Sequence, residues 1–190
     1  MSIRIDPEFQ ALCPTLSADE YATLQESLLA EGCRDALVVW AGQNVLLDGH
    51  NRLAICERHG LTFSTLEVAL PDRESAIAWI LRNQLGRRNL HPDAASLMRG
   101  RLYNMSKKPV GKPLGTILDQ NDPISTADRL AADLGVSAPT IKRDGKFAEA
   151  VAALTPLIPD ISQRAMSGEI ASRQAVIEEA QKVDAAQKAG

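Results

Sequence analysis

The stretch Thr126-Ala-Asp-Arg-Leu-Ala-Ala-Asp-Leu-Gly-Val-Ser-Ala-Pro-Thr-Ile-Lys-Arg143 constrains this chain more than any other. Leu130, Leu134, Val136 and Ile141 recur where two short helices must bury one shared face. Ala131 is small where the helices cross, and Gly135 can take the positive φ of a tight turn. Ser137 suits the cap of the second helix, and Pro139 falls in its first turn, where a missing N–H costs little. The segment predicts a helix-turn-helix at about residues 126–146. On this register Ser137, Ala138, Thr140, Lys142, Arg143 and Lys146 face outward. Thr140 and Arg143 would reach base edges in a major groove, and Lys142 and Lys146 would meet phosphates. An αα-hairpin packed against something other than DNA would use the same turn. Gly145 costs about 1 kcal/mol inside a helix relative to alanine, which predicts that the second helix bends or ends there.

The charge distribution is uneven. The net charge is −3, yet residues 1–85 carry 6 Lys/Arg against 12 Asp/Glu, residues 86–147 carry 11 against 6, and residues 148–190 carry 4 against 6. A basic middle between acidic ends fits a segment that touches phosphate, and it equally fits a solvated charged surface. Only 4% of the chain is aromatic, which argues against broad stacking platforms for single strands. Cys13, Cys33 and Cys56 are odd in number and form no CxxC pair, and His50, His59 and His91 do not flank them at zinc-ligand spacing. Neither a disulfide framework nor a metal site is expected. No apolar run is long enough to span a membrane and no signal pattern opens the chain, so a cytoplasmic location without membrane contact is expected.

Local signals order the remainder. Ser17-Ala-Asp-Glu20 reads as a capping box, with Tyr21, Leu24, Leu28 and Leu29 at helical spacing and a stop at Gly32. Residues 37–40 and 45–47 read as a β-hairpin with Gly42 and Asn44 at the bend. A helix then runs to about His59, stopped by Gly60. Phe63 to Val68 suggests a strand, and Pro71-Asp72 opens a helix carrying Ala76, Ile77, Trp79, Ile80 and Leu81. Pro92 suits the first turn of a helix reaching roughly Asn104. Residues 106–123, rich in Pro, Gly and Lys, read as a basic loop in which Lys107, Lys108 and Lys112 would track a phosphate backbone. After Ser125 the chain reads as helical, with breaks near Pro156 and Pro159 and fraying from Val183. Trp40 and Trp79 are expected in the core. The fold class is α+β over residues 1–88, followed by an all-α domain over residues 89–190.

Between the second strand and its helix lies Asp48-Gly49-His50-Asn51-Arg52. A glycine that admits close backbone approach, free N–H groups at a helix start and an arginine together make an anion site. The structural alternative is a turn in which Asp48 caps the helix and Arg52 pairs with an acid. His50 fits a general base, a phosphate donor or a hydrogen-bonding spacer. No residue is assigned as catalytic.

The order of elements, the Val-Leu-Leu-Asp-Gly-His-Asn-Arg segment ending at Arg52, and Asn83-Gln-Leu-Gly-Arg-Arg-Asn-Leu-His-Pro92 together resemble the ParB/sulfiredoxin superfamily over about residues 1–105. The helix-turn-helix behind them extends the likeness to about residue 150, closest to ParB-like proteins of plasmids, phages and integrative elements. The resemblance implies a ParB/sulfiredoxin-like α+β domain followed by an all-α helix-turn-helix domain. In ParB proteins a Gly-Glu-Arg-Arg box binds the triphosphate of CTP; here it reads Gly49-His50-Asn51-Arg52. A second motif, Glu-Asn-x-x-Arg-x-x-Leu-x-Pro, helps hold Mg²⁺ and phosphate; here it reads Asn83-Gln84-x-x-Arg87-x-x-Leu90-x-Pro92, without the carboxylate that is a natural hard-oxygen ligand. The implied nucleotide is CTP or ATP with Mg²⁺, held by Gly49, His50, Asn51, Arg52, Asn83, Gln84 and Arg87. His50 stands where sulfiredoxins carry a cysteine, so that activity is not expected.

The resemblance implies a ParB-like DNA-binding protein, a partition or transcription factor of a mobile element modulated by nucleotide. Its partner would be double-stranded DNA, read by a homodimer on paired half-sites. The rivals are a nucleotide-dependent enzyme on the same fold (a nuclease, an ATPase or a small-molecule kinase using Glu20, Glu26 or Glu31) and an interaction module with a vestigial pocket.

Overall fold

The computed structural model describes residues 3–87, 89–107 and 125–189. The chain divides into two compact units, Met1–Gln84 and Leu85–Gly190.

The first unit holds helices α1 (Pro7–Ala11), α2 (Ala18–Glu31), α3 (His50–His59) and most of α4 (Arg73–Leu85), with strands β1 (Leu37–Trp40), β2 (Val45–Asp48) and β3 (Thr65–Val68). Ser17 and Glu20 form the expected capping box and Gly32 ends α2. Strands β1 and β2 pair antiparallel around a bend where Gly42 and Asn44 take positive φ. Strand β3 joins β1 in parallel, giving the order β2-β1-β3. The free side of β2 is bridged by Arg4, whose N–H and carbonyl bond to Asn44 and Leu46. The β1–β2 register slips between Val38 and Val39. Such a bulge breaks the in-out alternation, and all four residues of β2 are buried. Leu37, Val39, Leu46 and Leu53 form the core between sheet and α3, with Ile3 and Phe63 against them.

The five-residue helix α1 escaped the sequence reading because one turn shows no periodicity. Its signal was Asp6 before Pro7: Asp6 accepts from the Glu8 and Phe9 N–H groups. Arg73 also bonds Asp6 and Glu8 and lies 4.6 Å over the Phe9 ring, a contact between residues too far apart in sequence to foresee. Trp40 and Trp79 are half-buried rather than fully inside, Trp40 because its indole N–H donates to the Leu70 carbonyl.

The second unit is helical over its described residues: α5 (Pro92–Lys107), α6 (Thr126–Leu134), α7 (Ala138–Leu154), α8 (Ile161–Ser167) and α9 (Arg173–Ala189). Three expectations change here. Helix α5 runs through Ser106 and Lys107, where a loop was expected, because Lys107 lies over the Tyr103 ring at 4.1 Å and faces Glu149 of α7 at 3.7 Å. Helix α9 continues past Val183 to Ala189, with Lys188 paired to Asp184 one turn back. Helix α7 passes through Gly145 without ending. Among the described residues no helix is long and apolar enough to cross a membrane.

Candidate functional site

The Gly49 loop is built from the strand outward. Gly49 caps α3 at φ 100°, with no side-chain cap. A β-carbon there would stand 2.6 Å from Leu37 Cδ2, so both backbone and space demand glycine. Asp48 does not cap the helix. Its carboxylate is buried, accepting from Arg52 Nη2 at 2.9 Å and from Gln84 Nε2 at 3.1 Å. Arg52 Nη1 also donates to the Asp35 carbonyl at 3.3 Å and lies 3.6 Å from its carboxylate. The guanidinium is therefore turned back onto Asp48 of its own loop and Asp35 of the segment between α2 and β1, which matches the structural alternative for Arg52 but not its cap at Asp48.

His50 is buried, with Cys13 Sγ 3.8 Å from its Nδ1. Among the described residues, His50 Nε2 and Gln84 Oε1 are buried polar atoms without a hydrogen-bond partner, an arrangement that carries a desolvation cost unless another group meets them. Burial pushes the His50 pKa down, partly offset by the Asp48 charge. The folded protein thus holds this ring neutral, whereas an unfolded histidine protonates near pH 6.5. Below that pH the unfolded chain binds a proton that the folded chain refuses, so this contribution to stability shrinks as pH falls through the unfolded value. The urea midpoint should drop between pH 7 and 5.5, and drop less in His50→Gln; parallel pH profiles for the two proteins would refute it.

Sequence reasoning placed Asn83, Gln84 and Arg87 with the loop. Gln84 reaches it through Asp48. Asn83 is half-buried on α4, and Arg87 is exposed beyond that helix. Asn51 is half-buried in the first turn of α3.

In the second unit Ser125 caps α6, Gly135 ends it at φ 65°, and Ser137 opens α7 by accepting from the Thr140 N–H, with Pro139 in the first turn. Ala127, Leu130, Ala131 and Ile141 are buried. Ser137, Lys142, Arg143 and Lys146 are exposed. Ala138 and Thr140 are half-buried, the Thr140 hydroxyl bonding that of Ser137 at 2.9 Å. Lys108 and Lys112, with the basic loop past Lys107, lie outside the described residues.

What holds α7 was missed. Asp144, 2% exposed, accepts from Ser96 Oγ at 2.5 Å and Arg99 Nε at 2.6 Å on α5, and Arg173 of α9 lies 3.9 Å away. Gly100 and Gly145 let the two helices touch. A β-carbon on Gly100 would stand 2.0 Å from the Asp144 carbonyl oxygen, and one on Gly145 would stand 2.6 Å from Tyr103. Asn104 seals the contact, donating to the Gly145 carbonyl at 2.9 Å. The available signal was Ser96, Arg99, Gly100, Tyr103 and Asn104 on one helical face.

No protein-family model matches the sequence, and no curated protein matches it. A Pnob8-like ParB-N domain, solved in a C2221 crystal form, superposes with a TM-score of 0.50 at 16% identity, over 80% of this chain and 69% of that one. The fold is ParB-like. The C-terminally truncated chromosome-partitioning protein ParB from Caulobacter crescentus, complexed with CTP-γ-S, also matches, with a TM-score of 0.39 at 13% identity over 94% of this chain and 93% of that one. In this ParB-like chain the loop at Gly49 follows the same strand-to-helix position that the sequence motif marked, but with Arg52 already paired to Asp48.

Proposed function

We propose that this chain is a partition-type DNA-binding protein, in which α7 enters the major groove of double-stranded DNA. The observation that carries the reading is the single exposed basic face of α7, with Lys142, Arg143 and Lys146 opposite the buried Ile141, Asp144 and Gly145. The Ser137 cap starts that helix beside the turn, so its first two turns are the ones presented to a duplex. Arg143 reads a base edge, and Lys142 and Lys146 bind phosphates. Paired half-sites would be read by a homodimer in the cytoplasm of a bacterium carrying the parent mobile element. Selection of bound duplexes from a random pool tests the assignment. Wild type should enrich a defined site, and Arg143→Ala should lose about 10-fold or more of its preference at one position. Unchanged preference in the variant would remove Arg143 from the reading.

A second reading adds a nucleotide at the Gly49 loop, CTP or ATP with Mg²⁺. It is favoured by the N–H groups at the start of α3 and by the unpartnered His50 Nε2 beside them. Among the described residues no cluster of three or more metal-ligating side chains occurs, so any Mg²⁺ would be held chiefly by the phosphates and water. Calorimetry with each nucleotide should show binding by wild type that Arg52→Ala weakens. Because Arg52 neutralises Asp48, loss of binding in Arg52→Ala counts only if its Tm is retained. No heat with either nucleotide, with or without DNA, would leave a plain DNA binder.

A further inference from the structure

Three exposed side chains of α7 stand in line. Lys142, Lys146 and Glu149 follow one another at four and three residues, spacings that share one face of a helix. The basic stripe of α7 therefore ends in a carboxylate. Lys107, the last residue of α5, lies opposite, its Nζ 3.7 Å from Glu149 Oε1 and 4.1 Å over the centroid of the Tyr103 ring. It also sits at the negative end of the α5 dipole. A carboxylate, a ring face and a helix end thus all draw this ammonium toward α7. The two helices are held together beside the pair by the Asn104–Gly145 bond and by the fit of Gly145 against Tyr103. Packing therefore fixes where the two charges meet. Their side chains are 44% and 59% exposed, too open to water for the pair to add much to stability. What the pair does change is the charge presented beside Lys146.

Resting on the reading of α7 as the DNA-binding helix, we propose that Glu149 limits the affinity of this face for duplex DNA by holding Lys107. The carboxylate acts twice. It repels a phosphate that approaches past Lys146, and it occupies an ammonium that would otherwise attract one. Phosphate contacts carry no base information. A carboxylate that withholds one lowers affinity for every sequence and keeps the chain off the non-specific duplex that outnumbers any preferred site. Lys107 is then not a phosphate contact of the wild-type chain, although its charge and position suit it to be one.

The test measures anisotropy of a labelled random-sequence duplex across a range of salt, with the full chain as wild type, Glu149→Gln, Lys107→Gln and the double variant. Glutamine keeps the stem of Lys107 against Tyr103, and both positions are exposed, so all four proteins should melt together. Glu149→Gln should bind about 3-fold tighter or more at low salt, with a log–log slope steeper by about 0.9, as one added phosphate contact requires. Lys107→Gln should keep the wild-type slope, and the double variant should lose the added slope. Wild-type affinity and slope in Glu149→Gln would overturn the proposal while leaving α7 as the DNA-binding helix. So would an added slope that persists in the double variant, since Glu149 would then not act through Lys107. No duplex binding by any of the four proteins would instead remove the DNA-binding reading, and the proposal with it.

Discussion

Gly100→Ala should destabilise the second unit by about 3 kcal/mol or more, one of the two largest effects expected of any single methyl or carboxylate change here. The added carbon would meet backbone, at 2.0 Å from the Asp144 oxygen and 2.5 Å from its carbonyl carbon. A flexible side chain could swing aside at low cost; a carbonyl in the middle of α7 cannot. Relief requires that α5 and α7 move apart, which also opens the Asn104–Gly145 bond. Urea unfolding followed by far-ultraviolet circular dichroism measures the loss. Both tryptophans lie in the first unit, so their emission follows that unit separately. An unchanged dichroism midpoint in Gly100→Ala would mean the helices do not cross as described.

Asp144→Ala should cost a comparable amount, about 3 kcal/mol, for an electrostatic reason. The carboxylate is 2% exposed and the Arg99 side chain 15%. Removing it leaves a guanidinium mostly out of water and the Ser96 hydroxyl without its acceptor. Asp144→Asn keeps the shape and one acceptor, so it should lose less. The same carboxylate fixes the rotation of α7 about its axis, and Arg143 is its neighbour. If α7 reads DNA, the alanine variant should lose affinity at temperatures where it remains folded. Equal stability of wild type and Asp144→Ala would show that this pair is dispensable.

These two sites mark the limit of what sequence could show. The capping box at Ser17 and Glu20, the stop at Gly60 and the turn at Gly135-Val136-Ser137 were legible because each depends on residues within a few positions of one another. Gly145 looked like a defect in a helix. Its role depends on Gly100 and Tyr103 of another helix, so only packing reveals that the missing side chain is a contact. The Gly49 loop was found by its motif, but the motif did not say that Arg52 would spend its charge on Asp48. That pairing depends on Gln84, 36 positions away, and on the bulge that buries all of β2.

The proposed role of α7 is to bind duplex DNA through its exposed cations. The most direct measurement is fluorescence anisotropy of a labelled duplex with wild type and with the Lys142→Ala/Lys146→Ala double variant, across a range of salt. Wild type should bind with an affinity that falls steeply as salt rises. The double variant should give a log–log slope shallower by about 2, as expected for two lost phosphate contacts. No binding by wild type at low salt, or an identical slope in the variant, would contradict the claim.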